Sequence, residues 1–502
     1  MTKTKLIFAA ALAFVVSCAN DDTTNKQSEQ EPGTEGLTSF VEEDNATRTT
    51  AEYDGSGLNF YWTAGDRLWV NNGTLIQDSK NNISKKLIAS TIPTGVQRAA
   101  RANFWFSGTF TANSYPVRYT GKNGVKDKVT IKASQTQTVP NDASHIGEDG
   151  DCGVATATKP TGDTQYHFTL EHKAAYATFL PYNSPGVIKG AKITKIKVSA
   201  NEAIAGTYNF NDNGLDLTSP TNTSNSIEFT LNDFSLPKAS TATANAATMV
   251  IAPGTYTNFT VEYTLNDPVT NVTGTITKTY PSVTFTAGKN KKVPTDLQIK
   301  VYPGDEYYMW DAADGQHYWY GHLDANGKPD GNYPQSNTDP RWHREDASLP
   351  APAANRSAKD CPNVNECMWY CMQGDPHWDN QTLWATMGHL YKGGIWLLKK
   401  DKISGFTAAN YNGTDYRTTY TVFTNTPTQG KPSNLSNYFY LPALGYYNNS
   451  GTLNVVGDYG CYWTSTPHPS NTDYAYCLTF NSGSVRVDYG DRYFGFRLWS
   501  GQ

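Results

Sequence analysis

The chain has 502 residues and a formal net charge of -5, with 13% aromatic but only 17% charged residues. That length is enough for several domains, and the near-neutral balance without a basic stripe argues against nucleic acid as a partner. The 32 Tyr and 12 Trp, beside abundant Thr, Asn and Gly, fit an exposed β-rich protein and not a helical cytosolic enzyme.

At the N-terminus, Lys3 and Lys5 precede an apolar run over 6–16 that ends in Val15-Val16-Ser17-Cys18. A basic start, a short apolar stretch and a small residue before the cut make a secretory signal. The cysteine at the cut makes it a lipobox, with Cys18 diacylated as the new N-terminus. The bland alternative is a signal peptide with a chance cysteine. A membrane-spanning helix is disfavoured by length, since the run falls short of the ~20 residues a span needs. No later stretch is long and apolar enough to span, so the lipid is the expected membrane link.

Residues 19–36 are polar and acidic and read as a flexible tether. A short alternating strand is expected at 37–41, followed by Arg48 in a polar stretch, where a second cut between Arg48 and Thr49 is plausible. Residues 58–62 and 67–70 predict a hairpin about Gly65-Asp66. Strand-length runs continue to about residue 160. A second β region covers 166–301, with strands near 168–170, 193–198, 227–231 and 259–263 and a turn at Asn211-Asp212-Asn213-Gly214. Short strands at regular spacing without a helical period suggest sandwiches.

After Pro303-Gly304 the texture changes. Val364, Cys367, Met368 and Cys371 fall on one helical face, with Asn363 as the N-cap. A second helix is predicted over 380–390, with Leu383, Trp384 and Met387 facing inward and Gly393-Gly394 as its stop. Beyond Tyr438 the chain returns to short strands, so this part is mixed α+β. The aromatic stretches at 307–310 and 317–320 are assigned to the core. The polar loops at 410–437 and 467–473 are the better candidates for recognition, although no ligand-binding residue can be assigned.

Of the seven cysteines, five lie in the last third. Export permits disulfides. Cys461 and Cys477 flank a predicted hairpin and are the candidate disulfide. Cys367 and Cys371 lie one helical turn apart, where a bond would restrain little, so a pairing of one of them with Cys361 stays open. The histidines form no ligand pair, no Gly-x-Ser-x-Gly elbow occurs, and no carboxylate pair can be read from spacing. The expectation is no catalytic residue, no metal and no cofactor, hence no enzyme.

Several motifs occur in order over roughly the first 300 residues. They are the lipobox at Cys18, Thr47-Arg48-Thr49, Phe60-Tyr61-Trp62-Thr63-Ala64-Gly65-Asp66-Arg67-Leu68, and Phe168-Thr169-Leu170-Glu171-His172-Lys173-Ala174-Ala175. Together they resemble the fimbrillin superfamily, the subunits of Bacteroidales type V pili and related surface lipoproteins. The resemblance implies two transthyretin-like β-sandwiches. It also implies cleavage after Arg48 by an arginine-specific protease, departure of the first strand, and its replacement by a strand from another subunit.

The last third contains Cys367-Met368-Trp369-Tyr370-Cys371, Trp384-Ala385-Thr386-Met387-Gly388-His389-Leu390-Tyr391-Lys392-Gly393-Gly394, Tyr440-Leu441-Pro442-Ala443-Leu444-Gly445-Tyr446, Gly460-Cys461-Tyr462-Trp463-Thr464-Ser465-Thr466 and Tyr493-Phe494-Gly495-Phe496-Arg497. This resembles C-terminal modules of certain fimbrillin-like proteins, related to the Fibrobacter major paralogous domain and C-type-lectin-like in fold. The calcium-binding triplets of such lectins are missing. Trp378-Asp379-Asn380 has the letters of one in the wrong order, so metal-dependent sugar binding is unsupported.

The expected fold is mainly β: two transthyretin-like β-sandwich domains followed by an α+β C-type-lectin-like domain. The expected division is 1–17 signal peptide, 18–48 lipidated propeptide with first strand, 49–165 first sandwich, 166–301 second sandwich and 302–502 lectin-like adhesin module. The expected function is a fimbrial subunit at the cell surface, exported as an outer-membrane lipoprotein precursor and assembled with other pilus subunits by strand exchange. A tip position is expected because the chain ends inside the last module's own pattern, with no spare strand to donate. The alternative is a non-polymerising surface lipoprotein. Either would bind an unknown host, microbial or glycan ligand.

Overall fold

The computed structural model describes residues 31–42, 50–122, 125–241, 244–325 and 327–502. The chain is mainly β, with 43% of it in strands and 5% in helices. No helix among the described residues is long and apolar enough to cross a membrane.

The first layer is a nine-stranded sheet. Its strands run in the order Leu75–Gln77, Trp69–Asn71, Ser114–Tyr119, Gly153–Thr158, Tyr166–Phe168, Thr38–Glu42, Asn103–Phe106 and Lys80–Asn81, with Glu171–His172 beside Gly153–Thr158. Alternation places Phe104 with Phe106, and Val117 with Tyr119, fully inside. The hairpin expected about Gly65-Asp66 is corrected. Leu58–Tyr61 pairs with Thr50–Tyr53, whereas Trp69–Asn71 pairs with Leu75–Gln77 and Ser114–Tyr119. The turn is instead a corner between sheets. The Asp66 carboxylate accepts from the Thr63 amide at 2.7 Å and from the Tyr119 hydroxyl at 3.0 Å. The Asp78 carboxylate accepts from the Leu68 amide at 2.8 Å. These side-chain acceptors redirect the backbone after Trp62.

In the second region a five-stranded sheet and a three-stranded sheet share one core. Lys192–Ser199, Ser226–Ser235 and Gly254–Asp267 supply one side, while Ala175–Tyr182 and Ala247–Ile251 supply the other. Ile193, Ile196 and Val198 all point inward despite their uneven spacing, because a bulge between Ile193 and Lys195 absorbs the extra residue.

The two β regions interlock. Tyr166–Phe168, which the sequence places at the start of the second sandwich, lies in the first sheet. In the other direction, Lys128–Ile131 pairs with Ala205–Asn211, and Ser134–Gln137 runs parallel to Ser226–Ser235. The buried amides of Gln135 and Gln137 then act as pieces of backbone. Gln135 donates to the Val250 carbonyl at 2.7 Å and accepts from the Val250 amide at 2.9 Å. Gln137 donates to the Ala246 carbonyl at 2.9 Å and accepts from the Thr248 amide at 2.8 Å. They satisfy the open edge of Ala247–Ile251, as buried polar groups require.

The last third is mixed α+β, with helix Val364–Gln373 packed between a six-stranded and a four-stranded sheet. Asn363 and Glu366 close a reciprocal capping box at 3.1 and 2.8 Å. Val364, Cys367, Met368 and Cys371 are all fully buried, as their spacing predicts. The helix predicted over 380–390 is corrected to a hairpin, Trp384–Thr386 with His389–Tyr391. Its two-residue turn, Met387-Gly388, has φ of 51° and 80°, the primed-turn geometry that joins two strands tightly. Upstream, Asp379 accepts from the Gln381 and Thr382 amides, which holds an Asx turn where the helix was expected to begin.

The expected Cys461–Cys477 disulfide is also corrected, for both thiols are free. Cys477 stands opposite Trp463 and Cys461 opposite Thr479, so the cysteines are diagonal neighbours. Diagonal positions lie ~7–8 Å apart, beyond the reach of a disulfide. Burial pushes the thiols of Cys361 and Cys371 up to about 12, which leaves them unreactive.

Tyr307, Trp310, Tyr318 and Trp319 are core residues, while Tyr320 is exposed. Around Trp310 lies a buried ionic network. The guanidiniums of Arg344 and Arg492 lie 4.7 and 4.2 Å from the Trp310 ring centre. Arg344 pairs with Asp311 at 2.7 Å, and Asp346 bridges Arg344 at 3.2 Å and Arg492 at 2.7 Å.

The last module is fastened to the second β region. Lys300–Tyr302 pairs in parallel with Trp384–Thr386. The tip of the hairpin Gly254–Asp267 and Val272–Phe285 reaches the same place, where Asp267 accepts from the Leu390 amide at 2.9 Å and meets His389 at 3.0 Å. Burial raises the Asp267 carboxyl, but the Leu390 and Val269 amides and His389 outweigh it and hold it below the usual carboxylate range.

Burial also lowers the imidazoles of His317, His343 and His468, in the first case against the pull of Asp305. Below the unperturbed histidine value of ~6.5, the unfolded chain therefore binds protons that the folded chain does not. The stability these residues contribute is present above that value and is lost as the pH falls through the lower folded values. Thermal unfolding followed from about pH 7.5 to pH 5.5 should show a falling midpoint, and the triple His→Gln variant should flatten the profile. A flat profile in the unaltered chain would contradict this account.

Candidate functional site

Cys18, Arg48 and Thr49 lie outside the described residues, but the elements on either side of Arg48 are described. Thr38–Glu42 belongs to the nine-stranded sheet, while Thr50–Tyr53 belongs to a three-stranded sheet with Leu58–Tyr61 and Asp142–Ala143. The chain therefore changes sheet between Glu42 and Thr50, the interval that holds Arg48. A cut within it leaves the first strand held by non-covalent contacts alone.

Those contacts are extensive because the first strand is not at an edge. It runs parallel to Tyr166–Phe168 and antiparallel to Asn103–Phe106, with Phe40 opposite both Tyr166 and Phe104. The Phe40 ring is fully buried. It stacks on Tyr166 at 4.7 Å and meets Phe106 and Phe110 edge-on at 5.0 and 5.3 Å. Two residues on and on the same face, Glu42 is also fully buried, and its carboxylate accepts from the Trp62 indole N–H. Ser39, pointing the other way, accepts from Gln165 at 3.0 Å. Ahead of the strand, Glu31 pairs with Lys85 at 2.6 Å, and that contact leads the causes that hold its carboxyl below the usual range.

Withdrawing the strand opens a slot ~10 Å wide between its two neighbours, the width of one strand. Both walls then carry unpaired backbone groups. The floor exposes Phe106, Phe110 and Tyr166, and the Trp62 N–H loses its acceptor. An unmade buried hydrogen bond of this kind costs about 1–3 kcal/mol. The site can therefore hold one extended segment, with an apolar residue at the Phe40 position and an acceptor two residues later. The sequence reading ended this strand at Val41 and missed Glu42. Alternation from Phe40 was the available signal, and a carboxylate on an inward position masked it.

The loops 410–437 and 467–473, the sequence's candidates for recognition, meet where the Tyr420 and His468 rings lie 4.9 Å apart, with Tyr489 against both. Asn365 accepts from the Tyr416 amide at 2.9 Å and donates to Asp415 at 3.0 Å, tying the first loop to the helix. The 467–473 loop is held by its own hydrogen bond from His468 to the Tyr474 carbonyl at 3.1 Å.

No protein-family profile and no curated protein matches the chain. Among solved structures, a candidate cell adhesion protein from Bacteroides ovatus is 12% identical, with 52% of this chain and 93% of that chain covered and a TM-score of 0.32. A fimbrial assembly protein from Parabacteroides distasonis is 13% identical over 52% of this chain and 91% of that chain, with a TM-score of 0.26. A fimbrial protein from Bacteroides ovatus is 10% identical over 92% of this chain and 99% of that chain, with a TM-score of 0.23. Likeness at these scores settles neither fold nor function.

Proposed function

We propose that this chain is a fimbrial subunit of the fimbrillin type, without enzymatic activity, assembled by exchange of its first strand. It is exported as an outer-membrane lipoprotein precursor through Cys18, cut between Arg48 and Thr49, and displayed at the cell surface in a fimbrium. The two β regions are transthyretin-like sandwiches in this reading, and the last module is a lectin-like adhesin placed at the fibre tip. The observation that carries the reading is the first strand: it lies in the interior of a sheet and is joined to the rest of the chain through the segment that holds Arg48. Cleavage there converts a stable intramolecular strand into a replaceable one, and a second subunit's strand takes the slot.

The test uses the full chain and an Arg48→Ala variant, each treated with an arginine-specific protease. Mass spectrometry of the unaltered chain should give a new N-terminus at Thr49. A peptide carrying Phe and Glu at the spacing of Phe40 and Glu42 should then bind the cut chain and not the Arg48→Ala chain. A cut chain that retains its own first strand and takes up no peptide would overturn the proposal, and would leave a non-polymerising surface lipoprotein.

A further inference from the structure

A second site lies at the junction of the middle hairpin and the last module, far in sequence from the first strand. It is an open cleft of about 1080 Å³, just above the ~300–1,000 Å³ of small-molecule sites. One wall is the hairpin tip with Thr270 and Val272. The others are Trp378 and Asn380, Tyr391 to Gly393, the 453–459 loop and the turn Asn481-Ser482-Gly483.

The walls are fixed in place. Thr270 donates to the Leu390 carbonyl at 2.9 Å, which seats the hairpin tip. In the 453–459 loop, the Gly457 amide donates to Ala443 and the Gly445 amide to Tyr459, both at 2.7 Å. The Gln429 side chain donates to the Ser482 carbonyl at 2.7 Å. Gly393 and Gly457 approach so closely that a Cβ on Gly393 would lie 1.9 Å from the Gly457 carbonyl oxygen. On the rim, Val455 has φ of 53° and is 47% exposed. A β-branched residue in that region is a true outlier, and strain of this kind collects at binding sites.

The chemistry of the lining is mixed and uncharged overall. Lys392 and Asp458 supply one cation and one carboxylate, and among the described residues neither has an ion pair or a side-chain hydrogen bond. Asn380 and Ser482 add an exposed amide and hydroxyl, while the half-buried Tyr391 and Tyr459 supply aromatic surface over the buried Trp378. A polyanion or a phosphate would meet Asp458 without a surplus of cations to offset it. A neutral polyhydroxylated ligand fits better, since each hydroxyl both donates and accepts, and its C–H faces pack on aromatic rings.

We infer that this cleft binds a neutral oligosaccharide, longer than one sugar unit. The inference is independent of strand exchange. It is tested on the full chain with cellohexaose, xylohexaose, mannohexaose and maltohexaose, followed by calorimetry and tryptophan fluorescence. At least one should bind. Asn380→Ala and Asp458→Ala, both at exposed positions, should each weaken that binding about tenfold, the worth of a hydrogen bond of ~1–1.5 kcal/mol. Neither should shift the unfolding midpoint or the binding of a first-strand peptide to the cut chain. Binding of none of the four sugars, or binding unchanged in the double variant, would overturn the inference.

Discussion

Phe40→Ala should destabilise the first β region by about 3–5 kcal/mol, the range for removing a buried phenylalanine. The ring is fully enclosed by Tyr166, Phe106 and Phe110, which belong to strands or loops that cannot close over the gap independently. The void therefore persists and adds to the lost burial. Urea unfolding of the full chain, followed by circular dichroism and total tryptophan fluorescence, reads this. Phe40→Leu, which keeps most of the volume, should recover more than half of the loss. If Phe40→Ala cost under about 1 kcal/mol, the strand would be a loosely attached cover, and its departure would open no hungry groove.

The second large effect belongs to the ionic network of the last module. Asp346→Ala should cost about 3–5 kcal/mol, because it strands the buried Arg492 guanidinium and takes one of the two carboxylates from Arg344. Arg492 is fully buried and Arg344 nearly so, and Asp346 is the carboxylate they share. Arg344 keeps its partner Asp311, so Arg492 bears most of the loss. Replacing Arg492 by Met in the Asp346→Ala background should restore part of the stability, since it removes the stranded charge. A simple sum of the two single effects in the double variant would show that the groups are uncoupled and would refute the network as drawn.

Much of this architecture was legible in the residues. Period-two patterns marked the long strands around 193–198, 227–231 and 259–263, and the Asn363 cap with its apolar helical face marked the helix Val364–Gln373. What escaped the sequence were decisions made by side-chain acceptors. Asp66 and Asp78 turned an apparent hairpin into a corner, and Asp379 with Met387-Gly388 turned an apparent helix into two strands. Leu383 and Trp384 have helical spacing with Met387, but tertiary pairing with Lys300–Tyr302 overrides it. The site was half legible. Phe40 and the Arg48 segment stood out, whereas the Glu42–Trp62 contact and the cleft beside Val455 depend on residues distant in sequence.

The reach of Ser134–Gln137 into the second core has a mechanical consequence. A pull along the chain from the first strand's slot to the last module cannot open the first β region by itself. It must also drag the Gln135 and Gln137 amides off Ala247–Ile251 and shear the parallel pairing with Ser226–Ser235. Shearing loads several backbone hydrogen bonds together, whereas peeling loads them in turn. The two β regions thus share tension as one stiff link.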